Sequence, residues 1–323
     1  MFYIELHIEP LAQKIKHTDK IMLMGSCFAE NISAKLAEHK FDICTNPHGI
    51  LFNPLSVADS INSYIEQKQY TEDDLFYLNE LWNSWEHHSR FSHIDKDAAL
   101  SQINQSQEQA HRFISSADYL IISLGTAYQY YRKDSGMPVS NNHKAPSQEF
   151  EKVLLPIEEI TNSLSDTIEA LENTNPNLQI LFTVSPVRHI RDGVVENNRS
   201  KARLLEAVHD ICGRYEQVHY FPAYELLIDV LRDYRFYDTD LVHPNKQAVS
   251  YIWERFMNSC MEDTTLTYIK EIAELNSAYQ HRPRFEQTEG HQQFLAVYAK
   301  KLRVLREKYP HINWSEEEQY FSL

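Results

Sequence analysis

A serine and a cysteine stand side by side behind a glycine in the segment IMLMGSCFAENI, residues 21–32. An apolar run precedes the pair and a polar, helix-like stretch follows, so Ser26 and Cys27 are predicted at a turn from a strand into a helix. Serine is a common helix N-cap, and capping alone explains Ser26. The same position also suits a catalytic nucleophile. Its side chain is expected to stand free at the sheet edge, and the N–H groups at the helix N-terminus stabilise an oxyanion.

A serine nucleophile needs a base and a carboxylate that orients it. Both occur in the segment DLVHPNKQAV, where Asp240 precedes His243 by three residues. The carboxylate can fold back to accept from Nδ1–H, which leaves Nε2 to face a hydroxyl. Pro244 and the apolar spacing after it predict a loop that leads into a helix. The alternative is a helix cap beside a structural histidine, since D-x-x-H is a weak motif.

Five short apolar runs read as strands that could bring these residues together: 20–24, 41–45, 118–124, 178–184 and 218–221. Helix-like segments alternate with them, among them 54–67, 97–115 and an amphipathic stretch at 198–215. Strands that alternate with helices predict a parallel sheet covered by helices on both faces, which is an α/β fold.

Glycines mark one edge of this predicted sheet. The chain has seven, and Gly25, Gly49 and Gly125 follow the first three strands. A turn that needs a positive φ explains one such glycine. Three at the carboxyl edge suggest a ligand site, because open parallel sheets bind ligands there and glycine lets backbone N–H groups come close.

The composition excludes several classes of function. A net charge of −15 disfavours nucleic acid and anionic membranes as partners. No apolar run approaches the ~20 residues of a membrane span, and the N-terminal MFYIELHIEP does not resemble a secretory signal. Four widely spaced cysteines form neither a disulfide framework nor a zinc cluster. We therefore expect a cytoplasmic protein without metal or organic cofactor; the sequence does not indicate its oligomeric state.

Residues 1–262 are predicted to form the main domain, with an insertion at about 68–96, and 263–323 a helical appendage. The aromatic stretch WNSWEHHSRF in the insertion suits sugar rings, but is more often a packed segment. Arg188 and His189 follow the fourth strand and would overhang the site. Arg188 is expected to hold an anionic or hydroxyl-rich substrate or, equally, to form a structural ion pair. The segment NNHK, 141–144, falls in a long loop suited to a lid.

The chain resembles the GSCFA domain family, which looks like a branch of the SGNH (GDSL-like) hydrolase superfamily. The resemblance rests on GSCFA at 25–29, NPHGILFNP at 46–54, SLGTAY at 123–128, HK at 143–144, SPVRH at 185–189, LRDYRFY at 231–237 and DLVHPN at 240–245. It covers roughly residues 20–256.

The resemblance implies a three-layer α/β/α fold with five parallel strands, flavodoxin-like in type. It implies that Ser26 is the nucleophile, that Asp240 and His243 form the last block, and that Gly49 is an oxyanion donor through its N–H. In the third block Gly125 matches, but Ala127 replaces the usual asparagine. The side-chain donor of the oxyanion hole is then Thr126, Asn46 or Asn53. Cys27 is expected to turn into the core.

The predicted function is a serine esterase that removes a small acyl group, such as acetyl, from a hydroxylated substrate such as a carbohydrate. An acyltransferase with the same triad is the second hypothesis, with an acceptor alcohol in place of water. The third is a binding protein that kept the fold and lost efficient chemistry, which the missing asparagine favours.

Overall fold

A computed structural model describes residues 4–321. Residues 1–3 of the N-terminal MFYIELHIEP and residues 322–323 of the predicted helical appendage lie outside this range. Residues 4–321 contain ten strands and ten α-helices. The strands are β1 (Lys20–Gly25), β2 (Asp42–Thr45), β3 (Phe76–Leu78), β4 (Leu81–Asn83), β5 (Tyr119–Leu124), β6 (Tyr128–Arg132), β7 (Pro138–Val139), β8 (Phe150–Leu154), β9 (Gln179–Val184) and β10 (Val218–Tyr220). The helices are α1 (Cys27–Glu38), α2 (Pro54–Ile65), α3 (Lys96–Ile114), α4 (Ile157–Thr174), α5 (Val194–Arg214), α6 (Ala223–Glu225), α7 (Lys246–Cys260), α8 (Asp263–Gln280), α9 (Glu289–Lys308) and α10 (Ser315–Tyr320).

The main sheet has five parallel strands in the order β10-β9-β5-β1-β2. All five predicted strands are confirmed, each shifted by no more than a residue at either end. The order reverses between β1 and β5, which makes the carboxyl ends of these two strands the topological switch point of the sheet.

Alternate side chains of the central strands enter two separate cores. Ile21 and Leu23 of β1 pack on one face with α1, α7 and the C-terminal helices, whereas Met22 and Met24 pack on the other with α2, α4 and α5. Because both faces are covered, the strands read as continuous apolar runs. This is the predicted three-layer α/β/α architecture.

The C-terminal helices share a core with the main sheet. Tyr268, Ile272 and Leu302 are buried in the same apolar cluster as Ile21 and Leu23. Among residues 4–321, no helix combines the length and the apolar character that a membrane crossing requires.

Two small antiparallel sheets were not predicted. Strands β3 and β4 form a hairpin within the insertion, and β7-β6-β8 form a three-stranded sheet after β5. The NNHK segment lies in the loop between β7 and β8. There His143 is buried and its Nε2 lies 2.8 Å from the carbonyl oxygen of Ser84, so the segment packs on the insertion.

Candidate functional site

The turn after β1 is shaped by Gly25. Its φ of +124° lies in the region that favours glycine, and a Cβ there would collide with the carbonyl oxygen of Ser123. The close approach lets the Ser26 N–H donate to that oxygen at 3.0 Å. The Gly25 N–H donates to Asn46 Oδ1 at 2.8 Å. The backbone that leads into Ser26 is thereby fixed to β5 and to the residue that follows β2.

Ser26 is buried, with 6% of the residue exposed. Its side chain was expected to stand free at the sheet edge, and it does not. Its Oγ accepts from the Phe28 N–H at 3.2 Å as the N-cap of α1, and lies 2.9 Å from Ser123 Oγ. The capping interpretation is therefore confirmed. A second hydroxyl on β5 holds the side chain in this rotamer.

Cys27 does not turn into the core, so this expectation was wrong. It is the first residue of α1 and is exposed. An N1 side chain points away from the sheet when the preceding N-cap faces it. Partial desolvation of the thiol and the nearby Glu30 carboxylate raise the pKa of Cys27, which disfavours the thiolate form that a cysteine nucleophile needs.

Asp240 and His243 form the predicted carboxylate–imidazole pair, with Asp240 Oδ2 2.6 Å from His243 Nδ1. The Asp240 Oδ1 atom accepts from the backbone N–H groups of Val242, at 2.9 Å, and His243, at 3.0 Å. Hydrogen bonds from the backbone and imidazole of His243 and from the Val242 N–H lower the pKa of Asp240 to about 2. The carboxylate is thus ionised at neutral pH, and it favours the tautomer that leaves Nε2 unprotonated. The loop leads into α7, which begins at Lys246, two residues after Pro244.

Ser26 and His243 do not hydrogen-bond to each other within residues 4–321. Their loops are linked through the segment after β9: the Arg188 N–H lies 3.4 Å from the Val242 carbonyl oxygen, and the His189 ring contacts the Phe52 ring at 5.3 Å between centroids. Phe52 in turn accepts through its carbonyl oxygen from the Gly125 N–H at 2.7 Å.

The segment after β2 forms a tight turn beside Ser26. Gly49 has a φ of +84°, and a Cβ there would collide with the side chain of His88. Its N–H, the predicted oxyanion donor, donates to the Asn46 carbonyl oxygen at 2.6 Å. The Arg90 guanidinium donates to the same oxygen. The N–H groups of Ser26, Gly49 and Gly125 are therefore all paired with backbone carbonyls in this conformation.

The three candidate side-chain donors differ in whether their polar atoms are already paired. Thr126 Oγ1 lies 3.1 Å from Ser200 Oγ and accepts from a backbone N–H. Asn53 caps α2, and its Nδ2 donates to Ser56 Oγ at 2.8 Å. Asn46 Nδ2 is buried and has no hydrogen-bond partner in the described part of the chain. Because Asn46 Oδ1 binds the Gly25 N–H, this unpaired amide lies next to the turn that carries Ser26.

The model of the GSCFA family matches residues 20–256, and that of the GSCFA domain protein, C-terminal domain, matches residues 272–323. The first match spans Ser26, Asn46, Gly49, Asp240 and His243. The chain belongs to the GSCFA family. No curated protein matches this GSCFA chain significantly.

Three esterases of known structure are similar to the GSCFA chain at low identity. An acetyl xylan esterase, Est2A, from the rumen bacterium Butyrivibrio proteoclasticus is 12% identical over 76% of this chain, with a TM-score of 0.37. An acetyl esterase mutant crystallised with acetate ion is 11% identical over 79% of this chain and 100% of its own, with a TM-score of 0.36. A carbohydrate esterase family 3 protein from Talaromyces cellulolyticus is 9% identical over 79% of this chain and 99% of its own, with a TM-score of 0.35. The chain spans 65% of the length of Est2A. Likenesses of this size carry no argument about activity.

Two buried residues that bond to the predicted site segments were not themselves predicted. Ser123, fully buried on β5, pairs with Ser26. Lys201 of α5 is 1% exposed, and its Nζ donates to the carbonyl oxygens of Gly125 at 2.7 Å and Ser185 at 2.6 Å. Burial lowers the pKa of Lys201 to about 7. The sequence did indicate that Lys201 is buried. It lies three residues before Leu204, and this spacing puts it on the apolar face of the predicted helix.

A cavity of about 590 Å³ lies between α2, the β3–β4 hairpin and the β6–β7 turn, where Lys68, Trp85 and Arg132 line it. Neither Ser26 nor His243 lines this cavity, so the proposed chemistry does not use it. Trp85 stacks on Phe76 at 3.6 Å, so this part of the aromatic insertion is packed. Residues 4–321 contain no cluster of three or more His, Cys, Asp or Glu side chains placed to hold a metal ion.

Proposed function

We propose that this GSCFA protein is a serine esterase of the SGNH type that removes a small acyl group, such as acetyl, from a hydroxylated substrate such as a carbohydrate. The Asp240–His243 pair carries the proposal. Its imidazole is anchored at Nδ1, its Nε2 has no partner among the described residues, and its loop contacts the segment that leads back to the Ser26 turn. An oriented imidazole with a free Nε2 is what a general base requires.

In the proposed reaction Ser26 Oγ attacks the ester carbonyl carbon, and His243 Nε2 takes the hydroxyl proton. The imidazolium returns the proton to the leaving alcohol, and Asp240 stabilises the positive charge. A water molecule, activated by the same imidazole, then hydrolyses the acyl–serine. Ser26 has to rotate from Ser123 towards His243 for the first step. Catalytic hydrogen bonds that are absent in an unliganded site often form only with the substrate.

The oxyanion formed in each step needs donors. We assign the side-chain role to Asn46, because its Nδ2 is the unpaired donor among the three candidates. The asparagine that is missing at Ala127 is then replaced by one from the segment after β2, three residues before Gly49. In the proposal the backbone N–H groups of Ser26 and Gly49 also donate to the oxyanion. Each then shares its hydrogen between the oxyanion and the backbone carbonyl oxygen to which it already donates. No nucleic acid, membrane or cofactor enters this proposal, and location in the cytoplasm stays a prediction.

An organophosphonate probe tests the nucleophile. The intact mass of the wild-type protein is expected to rise by one adduct, whereas Ser26→Ala gains none. Cys27→Ser is the matched neighbour and is expected to label like the wild type. If Ser26→Ala is still modified, or if only Cys27→Ser escapes modification, then Ser26 is not the nucleophile.

A binding protein on the same fold is the second candidate. It is favoured by one observation: Ser26 Oγ pairs with Ser123 and not with His243. On this view the wild type gains no adduct and turns over no acetyl ester at any pH, so the same measurements separate the two functions.

A further inference from the structure

Arg188 lies on the His243 side of the proposed site. It follows β9 at the carboxyl edge of the sheet, and its backbone N–H lies 3.4 Å from the carbonyl oxygen of Val242, the residue before His243. Its guanidinium lies over the ring of Tyr237 at 4.4 Å. Tyr237 forms an isolated bridge with Pro244, the residue after His243. The Arg188 backbone therefore contacts the residue before the proposed base, and the Arg188 side chain lies on the tyrosine that pairs with the residue after it.

The guanidinium of Arg188 lies beside two neighbouring aromatic rings, whose centroids are 5.9 Å apart. Its central carbon lies 4.4 Å from the Tyr237 ring centroid and 5.3 Å from that of Tyr234. An arginine stacked on rings is held through its planar faces, and the N–H groups around its edge stay available for a planar anion. Arg188 is only partly exposed, so the stacking restricts its rotamers before any ligand arrives.

No carboxylate of residues 4–321 forms a salt bridge with Arg188. The observation counts against a structural ion pair, because the chain carries 46 acidic residues against 31 basic ones. Other arginines do pair with carboxylates, for example Arg199 with Glu196 at 3.0 Å and Arg214 with Asp210 at 2.6 Å. The Arg188 guanidinium is pre-oriented, has no carboxylate partner within residues 4–321 and lies beside the His243 loop. It is therefore suited to bind an anionic ligand through two parallel hydrogen bonds.

We infer that the ester substrate carries an anionic group, a carboxylate or a phosphate, that Arg188 binds through the edge of its guanidinium while His243 faces the ester. The inference rests on the proposed esterase function for the ester itself, but the anion site stands on the Arg188 contacts alone. It narrows the substrate from a hydroxylated compound to an acidic one, such as an O-acylated sugar acid or sugar phosphate. The net charge of −15 would otherwise repel such a substrate.

The test uses three acetyl esters that differ in charge: para-acetoxybenzoate, its methyl ester, and para-acetoxyphenyl phosphate. The measured quantity is the kcat/KM ratio of each anionic ester to the neutral one, in the wild type and in Arg188→Gln. The intrinsic reactivities of the esters cancel between the two proteins. Loss of a charge-assisted hydrogen-bond pair is expected to lower the ratio about 10- to 100-fold, mainly through KM. The carboxylate and phosphate arms identify which anion is preferred.

Two further variants separate geometry from charge. Arg191→Gln removes the same charge from an exposed position three residues away, and is expected to keep the ratio within about twofold. Arg188→Lys keeps the charge but lacks the planar edge, and is expected to recover only part of the preference. An unchanged ratio in Arg188→Gln, or an equal fall in Arg191→Gln, overturns the inference.

A binding measurement distinguishes this inference from the esterase proposal. Titration calorimetry with para-acetoxybenzoate and its methyl ester is performed on Ser26→Ala and on Ser26→Ala combined with Arg188→Gln. If the wild type hydrolyses no ester but anion binding is lost with Arg188, the anion site holds and the esterase proposal fails. If esters are hydrolysed without preference and the anion does not bind more tightly than the methyl ester, the esterase proposal holds and the anion site fails.

Discussion

Replacing Asn46 by aspartate removes one hydrogen-bond donor and preserves much of its surroundings. Asn46 has a φ of +46°, a conformation that aspartate also tolerates. A carboxylate oxygen can still accept from the Gly25 N–H, which binds Asn46 Oδ1 at 2.8 Å. The Nδ2 donor, which has no partner among the described residues, is replaced by an acceptor. Asn46→Asp is thus a nearly isosteric test of whether this amide binds the oxyanion.

The expected effect follows from the loss of one oxyanion donor. Removing such a donor lowers kcat by about 10²–10³-fold, or roughly 2.7–4 kcal/mol of transition-state stabilisation. The introduced charge adds repulsion of the oxyanion, so we expect the upper part of this range for Asn46→Asp. KM should change little, because the donor acts mainly on the transition state. Steady-state hydrolysis of a small acetyl ester at about pH 8, where a carboxylate with an ordinary pKa is ionised, measures both constants.

Matched variants at the two other candidate donors are the controls. Asn53→Asp keeps an excellent N-cap on α2 and is expected to hold kcat within about twofold. Thr126→Val removes a hydroxyl that accepts from the Tyr128 N–H. It should reduce the free energy of unfolding by about 1–3 kcal/mol and leave kcat within a few fold. Urea unfolding of all three variants shows whether a loss of activity is a loss of fold. If folded Asn46→Asp retains its kcat while folded Thr126→Val loses 10²-fold, the assignment of Asn46 is refuted.

Two further predictions concern protons. Because the pKa of Asp240 is lowered to about 2, this carboxylate stays ionised between about pH 5 and pH 8. A rise of kcat/KM with pH over that range would therefore report a catalytic base other than Asp240, and a flat pH–rate profile would count against a histidine base. Lys201→Met leaves the Gly125 and Ser185 carbonyl oxygens without their donor and should destabilise the fold by about 1–3 kcal/mol near pH 7. Since burial lowers the folded-state pKa of Lys201 to about 7 from its ordinary 10.5, the unfolded chain binds more protons between these values, and Lys201 contributes stability that rises with pH. The destabilisation by Lys201→Met, measured by urea unfolding, should therefore be larger at about pH 9 than at about pH 7, and equal values at both would contradict the pKa shift.

The main sheet could be predicted because each of its strands is buried on both faces. A strand such as β5, with all six residues buried, leaves a continuous apolar run that local sequence shows directly. The turn at Gly25 and the pair of Asp240 and His243 are also indicated by residues that lie no more than three positions apart. For these parts, the chemistry of neighbouring residues is sufficient to indicate the geometry.

The parts that the sequence did not reveal depend on distant partners. Strand β6 is half-exposed, and it pairs with β8 some twenty residues later, so its run YQYYR has no apolar signature. The hydroxyl pair of Ser26 and Ser123 joins residues 97 apart in sequence. The choice among Thr126, Asn46 and Asn53 depends on which amide or hydroxyl is already paired, and only the packed structure contains that information.

The insertion contributes to the proposed site through the turn that holds Asn46 and Gly49. The His48 imidazole between them is fully enclosed, with Nδ1 2.6 Å from the Tyr64 hydroxyl and Nε2 3.0 Å from that of Tyr70. Burial lowers the pKa of His48 to about 3, so the ring is neutral at physiological pH and can donate at one nitrogen and accept at the other. On the backbone side, the His88 N–H of the insertion donates to the His48 carbonyl oxygen at 2.8 Å.

The turn places Asn46 and Gly49 in the left-handed region within four residues, and this conformation is costly at the asparagine unless its surroundings fix it. The insertion supplies that support from three directions: His88 fills the space beside Gly49, Arg90 donates to the Asn46 carbonyl oxygen, and Tyr70 holds the His48 ring. Residues 68–96 therefore form an outer wall that supports the turn from Asn46 to Gly49. If Asn46 is the oxyanion donor, its position depends on this wall, and substitutions in the insertion that contact no substrate should still lower kcat.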